Sequence, residues 1–288
     1  MALNDNAVIT AAGGYVFVAA PGTAAPTPAE LETINPDTFG AQVHTLTLTG
    51  TATSGTFTLT AGAAVTTDLP FNATAAQIQA ALEALEPVGT GNVLATGTLA
   101  AGVEIAFIGA LQGQTVTLSA EDEDLVGTTP VLGVTVTTAL NGWSSVGHTS
   151  REDMPEFGFE GGDTEVKGTW QKKALREVET EPLADFLTMH LHQFDAQSFA
   201  LYYGENASST PGIFGVEGGQ TLVNEKALFI LIVDGSRRVG FYAAKASIRR
   251  DEAIGMPVDE FATLPIRATF IKLGANRLYD WISEKLFG

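Results

Sequence analysis

The side chains that could do chemistry in this chain are a histidine pair and a run of carboxylates. His190 and His192 are two residues apart. On a helix that spacing points the two rings away from each other, so one core and one surface histidine is favoured over a metal site. Residues 121–124 are all acidic. They lack the alternating oxygen ligands and the turn glycine of a calcium loop, so a solvated acidic turn is favoured there.

Signatures of enzymes are missing from the sequence. There is no Gly-x-Ser-x-Gly elbow, no phosphate-binding Gly-x-x-x-x-Gly-Lys and no His-Glu-x-x-His. The chain has no cysteine, so a thiolate nucleophile, a thiolate metal site and a disulfide are all excluded. The sequence therefore predicts a protein that is not an enzyme, with no catalytic residue, no metal site and no cofactor.

Charge is distributed unevenly along the 288 residues. The first basic residue is Arg151, so residues 1–150 contain 12 acidic and no basic side chains. Nucleic-acid binding depends on basic side chains at the phosphates, so it is excluded for the first half and not expected elsewhere. An acidic surface can still meet DNA by repelling it. The N-terminus lacks the basic region of a signal peptide, and the longest apolar run has only strand length, so we expect a cytoplasmic product and no membrane contact.

Residues 43–139 differ in residue pattern from the chain around them. Threonine alternates there with apolar residues, which predicts strands with one buried and one solvent-facing side. The apolar residues assigned to the buried side are Leu46, Leu48, Phe57, Leu59, Val116, Leu118, Val134 and Val136. One helix is expected between them, capped by Asn72 or Thr74. We therefore expect 43–139 to be a small α+β domain inserted into a host domain made of 1–42 and 140–288.

The host domain is predicted to be mainly β, an antiparallel β-sandwich or barrel with one flanking helix. Residues 227–242 predict a long hairpin that turns at an Asp-Gly pair. Apolar residues recur at helical spacing in residues 182–194, which predicts the flanking helix. Residues 200–203 and 263–272 predict further strands.

An apolar stripe near the C-terminus is predicted to dock on a β domain, either its own or a neighbour's. It is formed by Leu278, Trp281, Ile282 and Leu286. A helix lying on a membrane would need a polar side rich in lysine and arginine, which this stripe lacks.

The segment 148–170 combines charge, aromatic rings and glycines. It is too long for a tight turn and too aromatic for a solvated linker, so we expect a functional loop that packs on a partner. The expected partner is another copy of the chain, with Phe157 and Phe159 as apolar anchors. The other residues assigned to this contact are Arg151, Glu152, Asp153, Met154, Pro155 and Glu156.

Several stretches carry a resemblance to a known family. They are the segment 148–170, the opening Met1-Ala-Leu-Asn-Asp-Asn, the proline-rich residues 23–31 and the hairpin after Lys226. On these stretches the chain resembles the major tail subunits, or tail tube proteins, of long non-contractile-tailed bacteriophages that infect actinobacteria. The resemblance covers 1–42 and about 140–288. Residues 43–139 resemble, more loosely, a β-rich accessory module of phage structural proteins.

The resemblance implies a structural protein of the virion tail, made in the host cytoplasm. Subunits of that family join edge to edge into hexameric rings, which stack with the help of long loops into a tube for DNA ejection. The implied partners are further copies of the chain, the tape measure protein, and the tail terminator and baseplate proteins. DNA would pass through the lumen without specific binding.

Acidic side chains suit the lumen of such a tube, because they repel the phosphates and let the duplex slide. The candidates are Asp163, Glu165, Glu177, Glu179 and Glu181, of which some are expected to face the channel. The inserted domain is expected to decorate the exterior, since it is too large for a conduit just wide enough for duplex DNA.

Two alternatives from other classes stay open. A surface adhesin or glycan-binding module would use the threonine-rich domain for binding, although the missing secretion signal argues against it. A glycosidase would use two of the carboxylates as acid and base, but no pair has a spacing that supports this reaction.

Overall fold

The structure is a computed structural model that describes residue 3 and residues 7–218 and 224–287. Antiparallel strands dominate it, which confirms the predicted mainly β fold class. The chain divides into two compact units, Met1–Thr33 with Val146–Gly288, and Ile34–Ser145. Most of the N-terminal residues quoted for the family resemblance lie outside the described residues.

The elements are numbered in chain order. The strands are β1 (Gly13–Ala19), β2 (Gln42–Ser54), β3 (Thr56–Ala61), β4 (Ala64–Val65), β5 (Leu69–Pro70), β6 (Val93–Thr98), β7 (Gly102–Phe107), β8 (Leu118–Glu121), β9 (Val126–Thr138), β10 (Ser144–Ser145), β11 (Glu156–Glu160), β12 (Thr164–Lys167), β13 (Arg176–Glu179), β14 (Ala184–Leu191), β15 (Asn224–Asp234), β16 (Arg237–Arg250), β17 (Leu264–Phe270) and β18 (Asp280–Ile282). The helices are α1 (Pro28–Leu31), α2 (Ala75–Glu83), α3 (Ala196–Tyr203) and α4 (Glu284–Phe287), with a 3-10 turn at Gly109–Leu111.

One antiparallel sheet organises the first unit. Its strands follow the order β1-β15-β16-β17-β14-β11, and β18 pairs with β16 beside this path. Alternate residues of β14 to β17 point to the same side, where they form a continuous apolar core. Fully buried members of this core include Leu187, Leu228, Phe241, Leu264 and Ala268.

Strands β15 and β16 form the long hairpin that the sequence predicts. Asp234 pairs with Arg237, so Gly235 and its neighbour make a two-residue turn, with Gly235 at a φ of 60° that glycine adopts without strain. Asp234 also accepts hydrogen bonds from the backbone and the hydroxyl of Thr10, at 3.0 and 2.9 Å. These bonds hold the pKa of Asp234 below its usual range and tie the arm before β1 to the turn.

The predicted helix at 182–194 and the predicted strand at 200–203 are both wrong. Residues 182–194 contain strand β14, and residues 200–203 belong to helix α3. Helical and strand spacing both place Leu187 and Leu191 on one side, so the apolar pattern alone was ambiguous. Packing against β17 and β11 decides in favour of the strand, because it buries the alternate residues of β14 in the core.

Cap residues mark the true position of the flanking helix α3. The Asp195 side chain accepts a hydrogen bond from the Ser198 amide at 2.8 Å, which satisfies a free donor of the first turn. Gly204 ends the helix with a φ of 94°, a conformation that favours glycine.

The second unit has its own core beneath the threonine-rich strands. Strand β2 pairs with β7 and β9, and β3 pairs with β4, β5 and β8. Of the residues assigned to the buried side, Leu46, Phe57, Leu59 and Leu118 are buried, and Leu48, Val116 and Val134 are partly buried. Val136 is 51% exposed, so its assignment was wrong. It lies near the end of β9, which is the edge strand of its sheet and has a neighbour on one side only.

Helix α2 begins at a capping box formed by Thr74. The Thr74 hydroxyl accepts from the Gln77 amide at 3.3 Å, and the Gln77 side chain accepts from the Thr74 amide at 2.9 Å. Ile78 and Leu82 are fully buried on the inner side of this helix. Of the two candidates, Thr74 is therefore the cap residue and Asn72 is not.

Replacing Thr74 with Ala should lower the free energy of unfolding by about 1 kcal/mol, because a donor of the first turn loses its partner. The control is Asn72→Ala, an exposed position before the cap, where we expect no measurable change. Urea denaturation followed by circular dichroism measures both. Equal losses for the two variants would contradict the capping assignment.

Candidate functional site

The predicted contact segment, residues 148–170, begins with an irregular stretch that runs across one end of β14. We call residues 149–154 of this stretch the strap. The Ser150 amide donates to the His190 carbonyl at 2.8 Å, and the Asp153 amide donates to the Ser150 hydroxyl at 2.9 Å. The Asp153 carboxylate lies 3.5 Å from the His190 ring. Residues 151–154 are exposed, so the strap presents their side chains to solvent.

The histidine pair lies on a strand and its end, so the expectation built on helical geometry was wrong. His190 belongs to β14, and His192 follows it, with its Nδ1 3.0 Å from the Ala262 carbonyl. No group of three or more metal-ligating side chains occurs in residues 7–218 and 224–287.

Phe157 and Phe159 lie in strand β11, so the expectation that they belong to a loop was wrong. Both point to the core side of the sheet. The centroid of the Phe157 ring lies 4.7 Å from the ring centroid of Phe241 and 5.3 Å from that of Trp281. Phe159 is 73% exposed. Phe157 therefore has partners inside its own subunit, whereas Phe159 is available at the surface.

On the opposite side of β11, Gly158 and Glu160 contact side chains of β14 and β17. A Cβ on Gly158 would lie 2.5 Å from the Phe186 ring, so a larger residue at this position would require that ring to move. Glu160 forms an ion pair with Arg267 at 2.6 Å, and the Arg267 guanidinium lies 3.6 Å from the Phe186 ring centroid. These contacts hold the last strand of the sheet in place.

The C-terminal stripe lies against the sheet of its own subunit. Trp281 and Ile282 belong to β18, opposite Phe241 and Gly240 of β16. Of the remaining stripe residues, Leu278 packs against the main core and Leu286 is partly buried in α4. None of the helices in the described part of the chain is long and apolar enough to cross a membrane.

The candidate lumen acids lie on or beside the two-stranded hairpin β12–β13. Residues 163–180 are exposed apart from Val178, which is partly exposed. Glu177 and Glu179 share one side of the hairpin, and Glu165 lies on the other side. Asp163 and Glu181 stand at its base, where the Thr180 amide donates to the Asp163 carbonyl at 2.7 Å. The five acids therefore do not form one acidic face.

Sequence reasoning missed the tip of this hairpin as a separate feature. Trp170 is 98% exposed, and Val166 and Leu175 are more than half exposed. Residues 166–176 carry four basic and no acidic side chains in a chain that has only 15 basic residues. The signal that could have found it is a tryptophan within a basic cluster in an otherwise acidic protein. We call residues 166–176 the basic tip.

A second missed feature is a cleft of about 880 Å³ at the end of β14 that carries the strap. Its walls are residues 148–153, the two residues after β14, and residues 258–261 with Thr263. Its charged lining consists of four carboxylates and one guanidinium, those of Glu152, Asp153, Asp259, Glu260 and Arg151. We call it the acidic cleft. Val258 and Phe261 at this cleft are highly exposed.

Known proteins similar to this chain come from tailed phages. A family described as phage tail tube protein matches residues 1–76 and 117–288. The chain is 40% identical over 291 residues to Major tail protein Gp23 of Mycobacterium phage D29, covering 100% of this chain and 96% of that protein. It is 57% identical over 150 residues to Major tail protein Gp23 of Mycobacterium phage L5, covering 52% of this chain and 75% of that protein. A solved structure from Mycobacterium phage Patience is similar at a TM-score of 0.28 and 20% identity over 42% of each chain.

The family match and the full-length relative agree with the resemblance drawn from the sequence, which is confirmed. They also support a structural role in the virion tail and not an enzymatic one. The chain belongs to the phage tail tube protein family.

Proposed function

We propose that copies of this chain join edge to edge into hexameric rings, and that the rings stack into the tube through which DNA leaves the virion. The observation that carries the proposal is the exposed hairpin β12–β13, with Trp170 98% exposed at its tip. Burying a tryptophan side chain against a partner contributes about 5 kcal/mol before the cost of ordering. A surface of this kind favours a partner, and a second copy of a tube subunit supplies one.

Strand β11 supports side-by-side association within a ring. It ends the sheet order of the first unit, so one of its edges can offer backbone donors and acceptors to another chain. Phe159 adds an exposed aromatic ring to that strand. Closing a ring would cover such edges, which otherwise favour unspecific aggregation.

Net charge supports the role as a conduit. The chain carries a formal net charge of -18, and a lumen lined by carboxylates repels DNA phosphates. Glu177 and Glu179 share a hairpin side and are the pair we favour for the channel, with Asp163, Glu165 and Glu181 as the remaining candidates. The proposed partners inside and at the ends of the tube are the tape measure protein and the terminator and baseplate proteins.

Negative-stain microscopy of the purified chain tests the proposal. We expect rings or tubes with a central channel, and light scattering should show assemblies that grow with protein concentration. Monodisperse monomers over a wide range of concentration and salt would exclude a self-assembling tube subunit.

The second unit, Ile34–Ser145, is proposed to decorate the outside of the tube. Replacing it with a short Gly/Ser linker between Thr33 and Val146 should leave tube formation intact and reduce the outer diameter. The first unit keeps its core and strands β1 and β11 to β18 in this variant, because these consist of residues outside 34–145. Microscopy measures the diameter, and the separately expressed second unit serves as a control for folding. Folded subunits of the deletion variant that fail to form tubes would contradict the decorating role.

A further inference from the structure

We propose that the basic tip of one subunit inserts into the acidic cleft of another copy in the next ring, so that Trp170 fills the cleft and lysines meet its carboxylates. This inference rests on the proposed tube and names the contact that stacks its rings. The contact is directional: each subunit gives a tip at one end and receives a tip at the other.

Strand β14 separates the two surfaces. At its first residue, Ala184 pairs with Glu160, which leads into the base of the hairpin. At its last residue, Leu191 bridges to Thr149 in the wall of the cleft. The strand has eight residues and spans about 23 Å. The tip and the cleft therefore lie toward opposite ends of the same strand, which suits a head-to-tail contact and not a two-fold one.

Charge complementarity selects the occupant of the cleft. The basic tip contains Lys167, Lys172, Lys173 and Arg176; Lys167 is paired with Glu165 of the same hairpin, so the charge offered to a partner comes from Lys172, Lys173 and Arg176. The acidic cleft has four carboxylates against one guanidinium. Two copies of a chain with a net charge of -18 repel each other unless a local cluster of opposite sign meets an acidic surface. The basic tip is such a cluster, and it is positioned to meet the cleft.

The cleft also has the shape and apolar surface that an indole ring needs. Its volume of about 880 Å³ accommodates a tryptophan and its neighbours. Val258 and Phe261 stand exposed at the cleft, on a loop whose base is closed by two hydrogen bonds between Gly255 and Thr263, at 3.1 and 2.9 Å. A loop held at its base presents these apolar groups with little ordering cost on binding.

Disulfide trapping tests the contact directly, because the chain has no cysteine of its own. The probe is the full chain with Gln171→Cys in the tip and Val258→Cys at the cleft, oxidised after assembly. If the tip of each subunit enters the cleft of the next, a non-reducing gel should show a ladder of dimers, trimers and longer chains. Either single variant can give at most dimers, because it has one thiol per subunit.

A matched control combines Gln171→Cys with Asn276→Cys, an exposed position in the turn before β18. This pair should give no ladder. Tubes without a ladder for the tip and cleft pair would overturn the stacking contact and leave the proposed tube intact. Absence of rings and tubes for the unaltered chain would overturn the tube itself, and the contact with it.

Charge exchange gives a second, independent test. Lys172→Glu with Lys173→Glu should raise the protein concentration needed for tubes at least about tenfold, since like charges then face each other. Asp259→Lys with Glu260→Lys should do the same. Combining all four changes should restore assembly, which a folding defect could not do. The control Lys272→Glu, at an exposed site outside residues 166–176 and outside the lining of the cleft, should assemble normally. Normal assembly of the tip variant, or no rescue by the fourfold variant, would contradict the contact.

Discussion

Replacing residues 164–179 with Asn-Gly should leave the subunit folded and abolish tube formation. The ends of the deleted segment are already close, because the Thr180 amide donates to the Asp163 carbonyl at 2.7 Å and the Gly162 amide donates to the Glu181 carbonyl at 2.9 Å. A two-residue turn of this type closes an antiparallel pair without strain. The deleted residues are nearly all exposed, so their loss removes little buried surface from the subunit.

Thermal unfolding and microscopy measure the two halves of this prediction. The midpoint should stay within about 4 °C of the parent, which corresponds to a change below about 1 kcal/mol. A control variant exchanges a cross-strand pair, Thr164→Glu with Glu179→Thr, which keeps the net charge and the hairpin. The control should form tubes. Tubes from the deletion variant would show that the hairpin is dispensable for stacking.

Phe157→Ser should mainly lower the stability of the subunit, and Phe159→Ser should mainly weaken assembly, although the two residues lie two apart on the same strand. Phe157 is 40% exposed but packs on Phe241 and Trp281 in its own subunit, so its loss should lower the free energy of unfolding by about 2 kcal/mol. Phe159 is 73% exposed, so its loss should change subunit stability by less than about 0.5 kcal/mol and weaken assembly.

Denaturant unfolding of both variants, followed by microscopy, tests this separation. A double-mutant cycle with Trp281→Ala supplies the check, since residues in contact have coupled effects on stability. The coupling should be clear for Phe157 and near zero for Phe159. Equal stability losses for the two serine variants, or coupling of Phe159 to Trp281, would contradict the assignment of one ring to the subunit and the other to the interface.

Local sequence patterns are sufficient to predict several parts of the fold. The hairpin of β15 and β16 follows from apolar runs around Gly235, because glycine adopts without strain the positive φ that the first position of the two-residue turn requires. Helix α2 follows from its capping box and its buried residues Ile78 and Leu82. These features depend on neighbours in sequence, which is why one sequence was enough to predict them.

Apolar periodicity gave a wrong prediction where the helical and the strand period place the same residues on one side. In residues 182–194 the positions of Leu187 and Leu191 fit both a helix and a strand, and the neighbouring strands β11 and β17 decided the outcome. The prediction that Val136 is buried was wrong for a related reason. Alternation predicts its side of the strand but not that β9 lies at the edge of its sheet.

The sequence by itself determined the family, the acidic character and the absence of cysteine chemistry. Only the tertiary structure separated Phe157 from Phe159, because exposure depends on Trp281, which is far away in the chain. Only the tertiary structure placed the basic tip and the acidic cleft toward opposite ends of β14. A cleft assembled from residues 148–153, 192–193 and 258–261 with Thr263 has no local signature, since folding alone brings these distant segments together.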